Sequence, residues 1–387
     1  MTKRTLQFFL FFSIALTLYG LLNAYIFIRG LEVISPFPHL RPVYFFLYTF
    51  LSLSFVAGRF LERLTLSWLS STLVWIGSFW LAGFVYFYVI ALFIDLLRLL
   101  NHIIPFFPAF VARDLTQTKL VTGGVVVALV VLVVVLGHLN TLKPRIKLIN
   151  LEIPKNSRTL KSLNLAVASD IHLGTIISKS RLEHIVSELN ALDPDLVLLP
   201  GDVVDEDLGP VIRRNLGEIL RTIKSKYGVF AITGNHEYIG GVEEACKYLG
   251  EHGITVLRDD VVTVGDSVVV VGREDRSIRQ FTGKARKPLN ELMAAVDKSL
   301  PILLMDHQPF KLDEAVHNGV DLQLSGHTHH GQLWPFNFIS KKIFELSWGY
   351  KRKGNTHFYV SCGVGTWGPP VRTGNRPEII NLKIRFT

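Results

Sequence analysis

The hydrophobic pattern divides the chain into two parts. Four long uncharged stretches come first, at Thr5–Ile28, Pro42–Gly58, Leu64–Ile94 and Leu120–Leu142. A membrane-spanning helix needs about 20 apolar residues, so this pattern predicts a transmembrane region of about four helices over residues 1–142. The first stretch is long and lacks a small-residue cleavage site, so we interpret it as an anchor that stays in the chain.

The segment between the third and fourth stretches, residues 95–119, mixes apolar and charged residues. It carries Phe106, Phe107 and Phe110 beside prolines. This composition is typical of a segment that lies in the headgroup interface, so we expect residues 95–119 to be interfacial.

The basic residues that flank the spans give an orientation signal. Seven lie on the side of the C-terminal part, against five on the other side. The majority favours a cytoplasmic C-terminal part. The seven are Lys3, Arg4, Arg59, Arg63, Lys143, Arg145 and Lys147, and the five are Arg29, Arg41, Arg98, Arg113 and Lys119.

The pattern changes after a predicted linker at residues 143–162. From Leu163, short apolar runs alternate with helix-like segments, as is typical of an α/β layered domain over residues 163–387. The predicted strands are Leu163–Ala168, Leu196–Leu199, Val229–Ile232, Ile254–Leu257, Val261–Val264, Val268–Val271, Ile302–Met305 and Leu322–Leu324. The predicted helices are Lys179–Leu192, Pro210–Lys226, Val242–Gly250 and Pro288–Ser299.

Polar clusters follow five of these apolar runs. Each cluster alone is commonly a turn, a helix cap or a buried histidine. In open α/β sheets, however, the reactive site lies beyond the carboxyl ends of the strands, so the clusters are expected to meet. Carboxylate, imidazole and amide ligands gathered in this way suit a pair of divalent cations. The clusters are Asp170-Ile-His172, Gly201-Asp202-Val-Val-Asp205, Gly234-Asn235-His236-Glu237, Asp306-His307 and Gly326-His327-Thr-His329-His330.

Composition gives no support for a nucleic-acid-binding protein or for a cysteine metal or redox site. The chain is 49% hydrophobic, and its first 142 residues hold only nine of the 41 basic and four of the 32 acidic residues. The remainder has a net charge of +4, which is too small to predict a nucleic-acid partner. The two cysteines, Cys246 and Cys362, have no metal or redox spacing.

In this order, the five clusters resemble the signature of the calcineurin-like metallophosphoesterase superfamily, D-x-H, G-D-x-x-D, G-N-H-E/D, a lone His and G-H-x-H. The resemblance implies a four-layer α/β sandwich, in which two mixed β-sheets are flanked by helices, here preceded by the four-helix transmembrane region. It implies two divalent metal ions, manganese by preference, with zinc, iron or magnesium as alternatives. Asp202 would bridge them. By resemblance, Asp170, His172, Asp202 and His329 would hold the first ion, and Asp202, Asn235, His307 and His327 the second.

The resemblance also implies roles beside the metals. His236 carries no metal in the family, which suits it to donate a proton to the leaving group while Asp205 orients its imidazole. Candidate substrate residues are Arg273, His330, Arg372 and Arg376.

The chain also resembles the membrane-attached branch of the superfamily in its extra His330, in the Gly331-Gln332 that follows, and in the tail Gly363-Val-Gly-Thr-Trp-Gly-Pro-Pro-Val-Arg372 with Arg376-Pro-Glu378. That branch implies a phosphoesterase that cleaves a phosphodiester, pyrophosphate or phosphomonoester in a lipid or lipid-linked substrate by attack of metal-activated hydroxide. A lipid bilayer and an amphiphilic phosphoester are then the expected partners, and a bacterial inner membrane the expected location. Two alternatives stay open: a UDP-diacylglucosamine pyrophosphatase of lipid A synthesis, and a membrane sensor that binds metal without turnover.

Overall fold

The computed structural model describes residues 3–387, and it describes the side chains of all of these except 3–9, 11, 12 and 112. The orientation signal from Lys3 and Arg4 therefore lies outside the described side chains. The described chain forms two compact units, one up to Leu136 and the other from Gly137 to Thr387.

The first unit consists of long helices. Helices α1 to α5 span Lys3–Val33, Arg41–Leu64, Trp68–Ile103, Ala109–Arg113 and Leu115–Thr141, and a short 3₁₀ helix spans Pro38–Leu40. Among the described residues, four helical segments are long and apolar enough to cross a membrane: Ser13–Val33, Pro38–Leu64, Trp68–Ile103 and Leu115–Thr141.

All four of these helices run further than the uncharged stretches predict, and in α2 and α3 the charged residues beyond the stretch are paired. Tyr25 donates a hydrogen bond of 2.6 Å to Asp95, and Arg29 also bonds this carboxylate. Helix α3 continues through Asp95 to Ile103, so that only the later part of the predicted interfacial segment lies outside this helix. In α2, Arg59 lies 3.1 Å from Glu62, and the helix continues to Leu64.

The second unit contains the strands. Helices α6 to α14 span Lys179–Ala191, Gly209–Arg213, Leu216–Leu220, Asn235–Gly240, Val242–Glu251, Ile278–Thr282, Leu289–Leu292, Asp313–His317 and Phe336–Ile343. Strands β1 to β12 span Arg145–Ile153, Ser162–Val167, Leu196–Leu199, Val229–Ala231, Ile254–Val256, Asp260–Val264, Val268–Gly272, Ile302–Met305, Leu322–Ser325, Gly349–Lys353, Thr356–Val360 and Glu378–Phe386.

The strands form two mixed six-stranded sheets with the orders β1-β12-β2-β3-β4-β5 and β10-β11-β9-β8-β7-β6. Their facing sides share one apolar core, which includes Leu165 and Leu198 from the first sheet and Val270 and Leu324 from the second. A second core lies on the other face of the second sheet, where Leu289 of α12 and Ala315 of α13 pack. The predicted fold class, two mixed sheets flanked by helices and preceded by long apolar helices, is confirmed.

Three predicted segments differ in the structure. The predicted linker contains β1, which pairs in parallel with β12 from Arg145 to Ile153. The predicted helix at 210–226 divides into α7 and α8, because Asn215 between them adopts a left-handed conformation with φ of 52°. The predicted helix at 288–299 is helical only over Leu289–Leu292.

Candidate metal centre

The candidate ligands lie in loops that follow β2, β3, β4, β8 and β9. Strands β2, β3 and β4 are parallel neighbours in the first sheet, and β8 and β9 are parallel neighbours in the second. Parallel neighbours end at the same edge of a sheet, so these five loops meet beyond the carboxyl ends of the strands. Asp170, His172, Asp202, His307 and His329 are all at least 94% buried there.

Most of these ligands have unusual backbone conformations. Asp170, His172, Asp202, His327 and His329 have φ values between 44° and 69°, in the left-handed region. This conformation costs a residue with a side chain about 1–3 kcal/mol and is concentrated at functional sites. The loops also support one another, since the Asp170 amide donates to Gly201 and the His172 amide to Asp202. The loops therefore hold several polar side chains in the buried site, and the left-handed backbone that this requires costs folding energy.

The first ligand group consists of Asp170, His172 and His329. The Nε2 atoms of His172 and His329 lie 3.0 Å apart, and Asp170 Oδ1 lies 3.4 Å from His329 Nε2. A cation with bonds of about 2.0–2.2 Å to nitrogen and oxygen separates its ligands by similar distances. The side chains present therefore fit one divalent ion.

The second ligand group consists of Asp202, His307 and His327, with Asn235 beside them. Asp202 Oδ2 lies 3.1 Å from His307 Nε2, and Asn235 Oδ1 lies 2.7 Å from His327 Nδ1 and 3.3 Å from His307 Nε2. Asp202 Oδ2 is also 3.9 Å from His172 Nε2 in the first group. One carboxylate thus lies between the two groups, and the bridging role of Asp202 stays a prediction.

The electrostatics of the site suit cations. Burial, followed by the charge of His307, lowers the pKa of His327 to about 3, and burial and His172 hold the pKa of His329 well below its usual value. Both imidazoles are therefore neutral, as metal ligation requires. Burial opposes a charge on His307, but Asp202 and Asp170 outweigh it and raise its pKa well above the usual value. The same negative charge would stabilise a bound cation.

His236 and Asp205 form a pair beside both groups. His236 Nδ1 lies 3.0 Å from Asp205 Oδ1, and the His236 amide donates to Asp202 Oδ1. Burial opposes protonation, but Asp202 and Asp205 outweigh it and raise the pKa of His236 to about 9. His236 also offers a nitrogen within 4.8 Å of ligand atoms of His172 and Asp202. The proton-donor role of His236 stays a prediction.

Glu237 has a supporting role that the sequence did not reveal. Its buried carboxylate accepts hydrogen bonds from the amides of Asp202, Val204 and Gly234, at 3.1, 2.9 and 2.8 Å. Glu237 therefore fixes the loop that carries Asp202 to the loop that carries Asn235. The G-N-H-E motif is a signal for this residue, but its bonding partners depend on the fold.

The four candidate substrate residues occupy different places. Arg372 is fully buried, with Nη2 3.1 Å from His329 Nδ1. His330 Nδ1 lies 3.0 Å from Ser347 Oγ, and its ring packs on Trp348. Arg273 is buried and bonds Asp306 and Glu314 at 3.0 and 2.9 Å. Arg376 is exposed, and its Nε donates to the carbonyl of Lys143. Their predicted contact with substrate remains a prediction.

Aromatic side chains adjoin the ligands on two sides. The ring of Trp367, which is 54% exposed, lies 6.3 Å from the ring of His236. The ring of Phe344 lies 6.0 Å from that of His327 and 4.8 Å from that of Phe310. The metal centre is therefore bordered by apolar surface as well as by polar loops.

The fold and the two ligand groups define a class, proteins with a two-metal centre at the carboxyl edge of a layered α/β domain. The family model of calcineurin-like phosphoesterases matches residues 163–331. An uncharacterised metallophosphoesterase of Aquifex aeolicus is 32% identical over 254 residues, covering 64% of this chain and 95% of that protein. The chain belongs to the calcineurin-like metallophosphoesterase family, which uses a dimetal centre.

Two further relatives are longer than the matched region. An uncharacterised metallophosphoesterase of Helicobacter pylori strain J99 is 34% identical over 226 residues, covering 58% of this chain and 60% of that protein. A protein of Danio rerio named "Transmembrane protein with metallophosphoesterase domain" is 33% identical over 276 residues, covering 67% of this chain and 62% of that protein. The chain thus spans about 60% of the length of these relatives.

Proposed function

We propose that the chain is a membrane-anchored, two-metal phosphoesterase that hydrolyses a phosphodiester, pyrophosphate or phosphomonoester bond in a lipid or lipid-linked substrate. The observation that carries this proposal is the position of Asp202, 3.1 Å from His307 and 3.9 Å from His172, between two groups of ligands. Four helices able to cross a membrane support the anchor.

The residues of the chain have separate tasks in this reaction. One ion would be held by Asp170, His172 and His329. The other would be held by Asn235, His307 and His327, and Asp202 would contribute to both sites. When bound, two such ions, manganese by preference, lower the pKa of water and offset negative charge at phosphorus. His236, oriented by Asp205 at 3.0 Å, donates a proton to the oxygen of the leaving group. The apolar border formed by Trp367 and Phe344 suits a substrate with an acyl part.

The test uses the full-length protein in lipid nanodiscs. We expect two divalent ions per chain and hydrolysis of bis(p-nitrophenyl) phosphate, p-nitrophenyl phosphate or a pyrophosphate diester, with the Asp202→Asn variant, which lacks the shared carboxylate, as the inactive control. A chain that binds two ions and hydrolyses none of these, nor any phospholipid or glycolipid of its host, would be a metal-binding sensor instead.

Lipid profiles of cells identify the substrate. Cells with intact protein and cells with His236→Asn should differ in one class of phospholipid or glycolipid, which identifies the headgroup. Soluble phosphoesters that change in place of lipids would contradict the lipid assignment.

Labelling of an introduced cysteine by an impermeant reagent in intact cells tests the proposed cytoplasmic side of a bacterial inner membrane.

A further inference from the structure

Helix α14, which follows the histidine-rich turn, exposes an apolar face. Phe336, Ile339 and Ile343 lie three and four residues apart and therefore share one side of the helix. Ile339 and Ile343 are 55% and 58% exposed, and Phe338 beside them is 60% exposed. Globular proteins seldom expose large apolar side chains in such a cluster unless it contacts a partner.

Two lysines complete this surface. Lys341 and Lys342 are exposed on the same helix, and among the residues that the structure describes no ion pair joins either to an acid. By contrast, the nearby Lys351 and Lys353 both pair with Glu345, at 2.8 and 3.0 Å. The α14 surface, formed by Phe336, Phe338, Ile339, Lys341, Lys342 and Ile343, therefore combines exposed apolar side chains with unneutralised positive charge.

Both ends of α14 contact the candidate metal centre. At its start, Gly331 lies so close to the backbone of Phe336 and Asn337 that any Cβ there would overlap them. At its end, the ring of Phe344 packs 6.0 Å from the ring of His327. The helix therefore lies along the border of the ligand loops, and whatever it contacts is brought to that border.

A short series of hydrogen bonds joins the residues before α14 to the last turn of α5. The Trp334 amide donates to Thr373 Oγ1 at 2.8 Å, and the neighbouring Arg372 amide donates to the carbonyl of Gly137 at 3.0 Å. Asn140 donates to the carbonyls of Arg372 and Asn375 at 2.9 and 2.8 Å. Residues 137–141 belong to the second unit and also form the end of a helix that is able to cross a membrane.

From these observations we propose that the α14 surface docks on the membrane in which the chain is anchored, and that it binds the headgroup region of anionic phospholipids. Aromatic and aliphatic side chains with lysines are the composition of segments that lie in this region. The positive charge of Lys341 and Lys342 complements anionic headgroups. Docking would place the border of the metal centre against the bilayer. This inference extends the proposed function, since it names the surface that receives a lipid substrate.

The test measures the position of α14 and needs no turnover. Full-length protein carrying Cys246→Ser and Ile339→Cys is spin-labelled and placed in nanodiscs, while the fully buried Cys362 stays unlabelled. The control label replaces Lys298, which is exposed and precedes β8, at the edge of the sheet opposite the metal loops. Oxygen concentrates in bilayers and a charged nickel chelate in water, so the ratio of the two relaxation effects reports contact with lipid.

We expect the oxygen-to-nickel ratio at position 339 to exceed that at position 298 several-fold in nanodiscs with phosphatidylglycerol. The ratio should fall with phosphatidylcholine alone or with Lys341→Glu and Lys342→Glu added. Equal ratios at 339 and 298 would overturn the proposal, as would a label that is shielded in native membranes but exposed to water in nanodiscs, which would indicate a protein partner. Ile343→Cys provides a second position if Ile339→Cys does not fold.

Docking and catalysis can fail separately. If the α14 label contacts lipid but no lipid phosphoester is hydrolysed, the proposed substrate is wrong and the docking surface stands. If the label stays in water while bilayer-borne substrate is hydrolysed, the docking surface is wrong and the proposed function stands.

Discussion

The candidate metal centre has two flanks, the first beside His329 and the second beside His307. The arginines of the two flanks bond to different kinds of group. Behind His329, Arg372 donates to the carbonyl of Gly365 at 2.6 Å and to Asn375 at 2.5 Å, which are uncharged groups. Behind His307, Arg273 and Arg286 bond the carboxylate of Asp306 at 3.0 and 2.8 Å. Arg372 therefore lies against a ligand while its hydrogen bonds go to uncharged groups, whereas Arg273 and Arg286 neutralise an acid that precedes a ligand.

The two flanks therefore affect different residues: the first affects the ligand His329, and the second affects Asp306, the acid before the ligand His307. Burial, and after it the charges of His172 and Arg372, lowers the pKa of His329, which keeps that imidazole neutral for ligation. Burial opposes ionisation of Asp306, but Arg286 and Arg273 outweigh it and lower the pKa of this acid. The first flank should therefore govern metal binding, and the second should mainly govern the stability of the fold.

Asp202 belongs to both flanks, so its substitution should have the largest effect. Asp202→Asn removes the carboxylate that lies between the ligand groups. We expect metal content to fall below two ions per chain and kcat/KM to fall by about 10³-fold or more, since bound metal supplies several kcal/mol to such reactions. Elemental analysis and steady-state assays of full-length protein measure both quantities.

Asp193→Asn is the matched control for this change. Asp193 is an exposed aspartate with a left-handed backbone, with φ of 47°, and the substitution is the same. Asp202→Asn protein that keeps two ions and normal activity would show that the two flanks do not share a ligand.

Substitution of His236 tests the proposed protonation of the leaving group, a step that follows metal binding on both flanks. His236→Asn should lower turnover by about 10²–10⁴-fold, the usual contribution of a general acid, while metal content stays unchanged. The loss should be smaller for nitrophenolate, which leaves without protonation. The control is His184→Asn, a half-exposed histidine on α6. An equal loss for good and poor leaving groups would assign His236 another role, such as metal ligation.

The sequence predicts the ligand loops well for a physical reason. Asp170, Asp202, Asn235, His307 and His327 each follow an apolar run closely, so the position of each depends on local pattern and on parallel pairing of strands. The same reasoning predicts that the clusters meet at one edge. It needs the pairing of the strands but no knowledge of side-chain contacts between the loops.

The residues that support the loops could not be predicted in this way. The contact of Arg372 with His329 joins positions 43 residues apart in an irregular segment. Strand β1 was missed because its partner β12 lies more than 200 residues later and only Leu151 and Ile153 of its nine residues are buried. Its polar residues Arg145, Lys147, Asn150 and Glu152 give it the composition of a linker.

Arg372→Lys tests the first flank with a smaller effect. Lysine keeps the charge but cannot bond both Gly365 and Asn375 as the planar guanidinium does. We expect the affinity of the first ligand group for Mn²⁺ to fall by about 10–100-fold, the usual cost of losing a group that orients a ligand. Arg286→Lys makes the same change on the other flank and should leave this affinity unchanged. Titration calorimetry measures both variants, and equal losses would remove the distinction between the flanks.

Asp306→Asn tests the second flank and should affect catalysis least. The substitution leaves the buried Arg273 and the partly buried Arg286 without their shared carboxylate, although Glu314 still pairs with Arg273 at 2.9 Å. Breaking a buried pair in this way costs about 3–5 kcal/mol of folding stability, so the thermal unfolding of the second unit should occur at a clearly lower temperature. The exposed pair of Asp297 with Arg158 provides the control, and Asp297→Asn should leave the unfolding temperature unchanged.

Folded Asp306→Asn protein should bind two ions and keep kcat/KM within about tenfold of the parent, because its loss is one of stability. A variant that melts normally but binds only one ion would show that Asp306 acts on His307 and would make the two flanks alike.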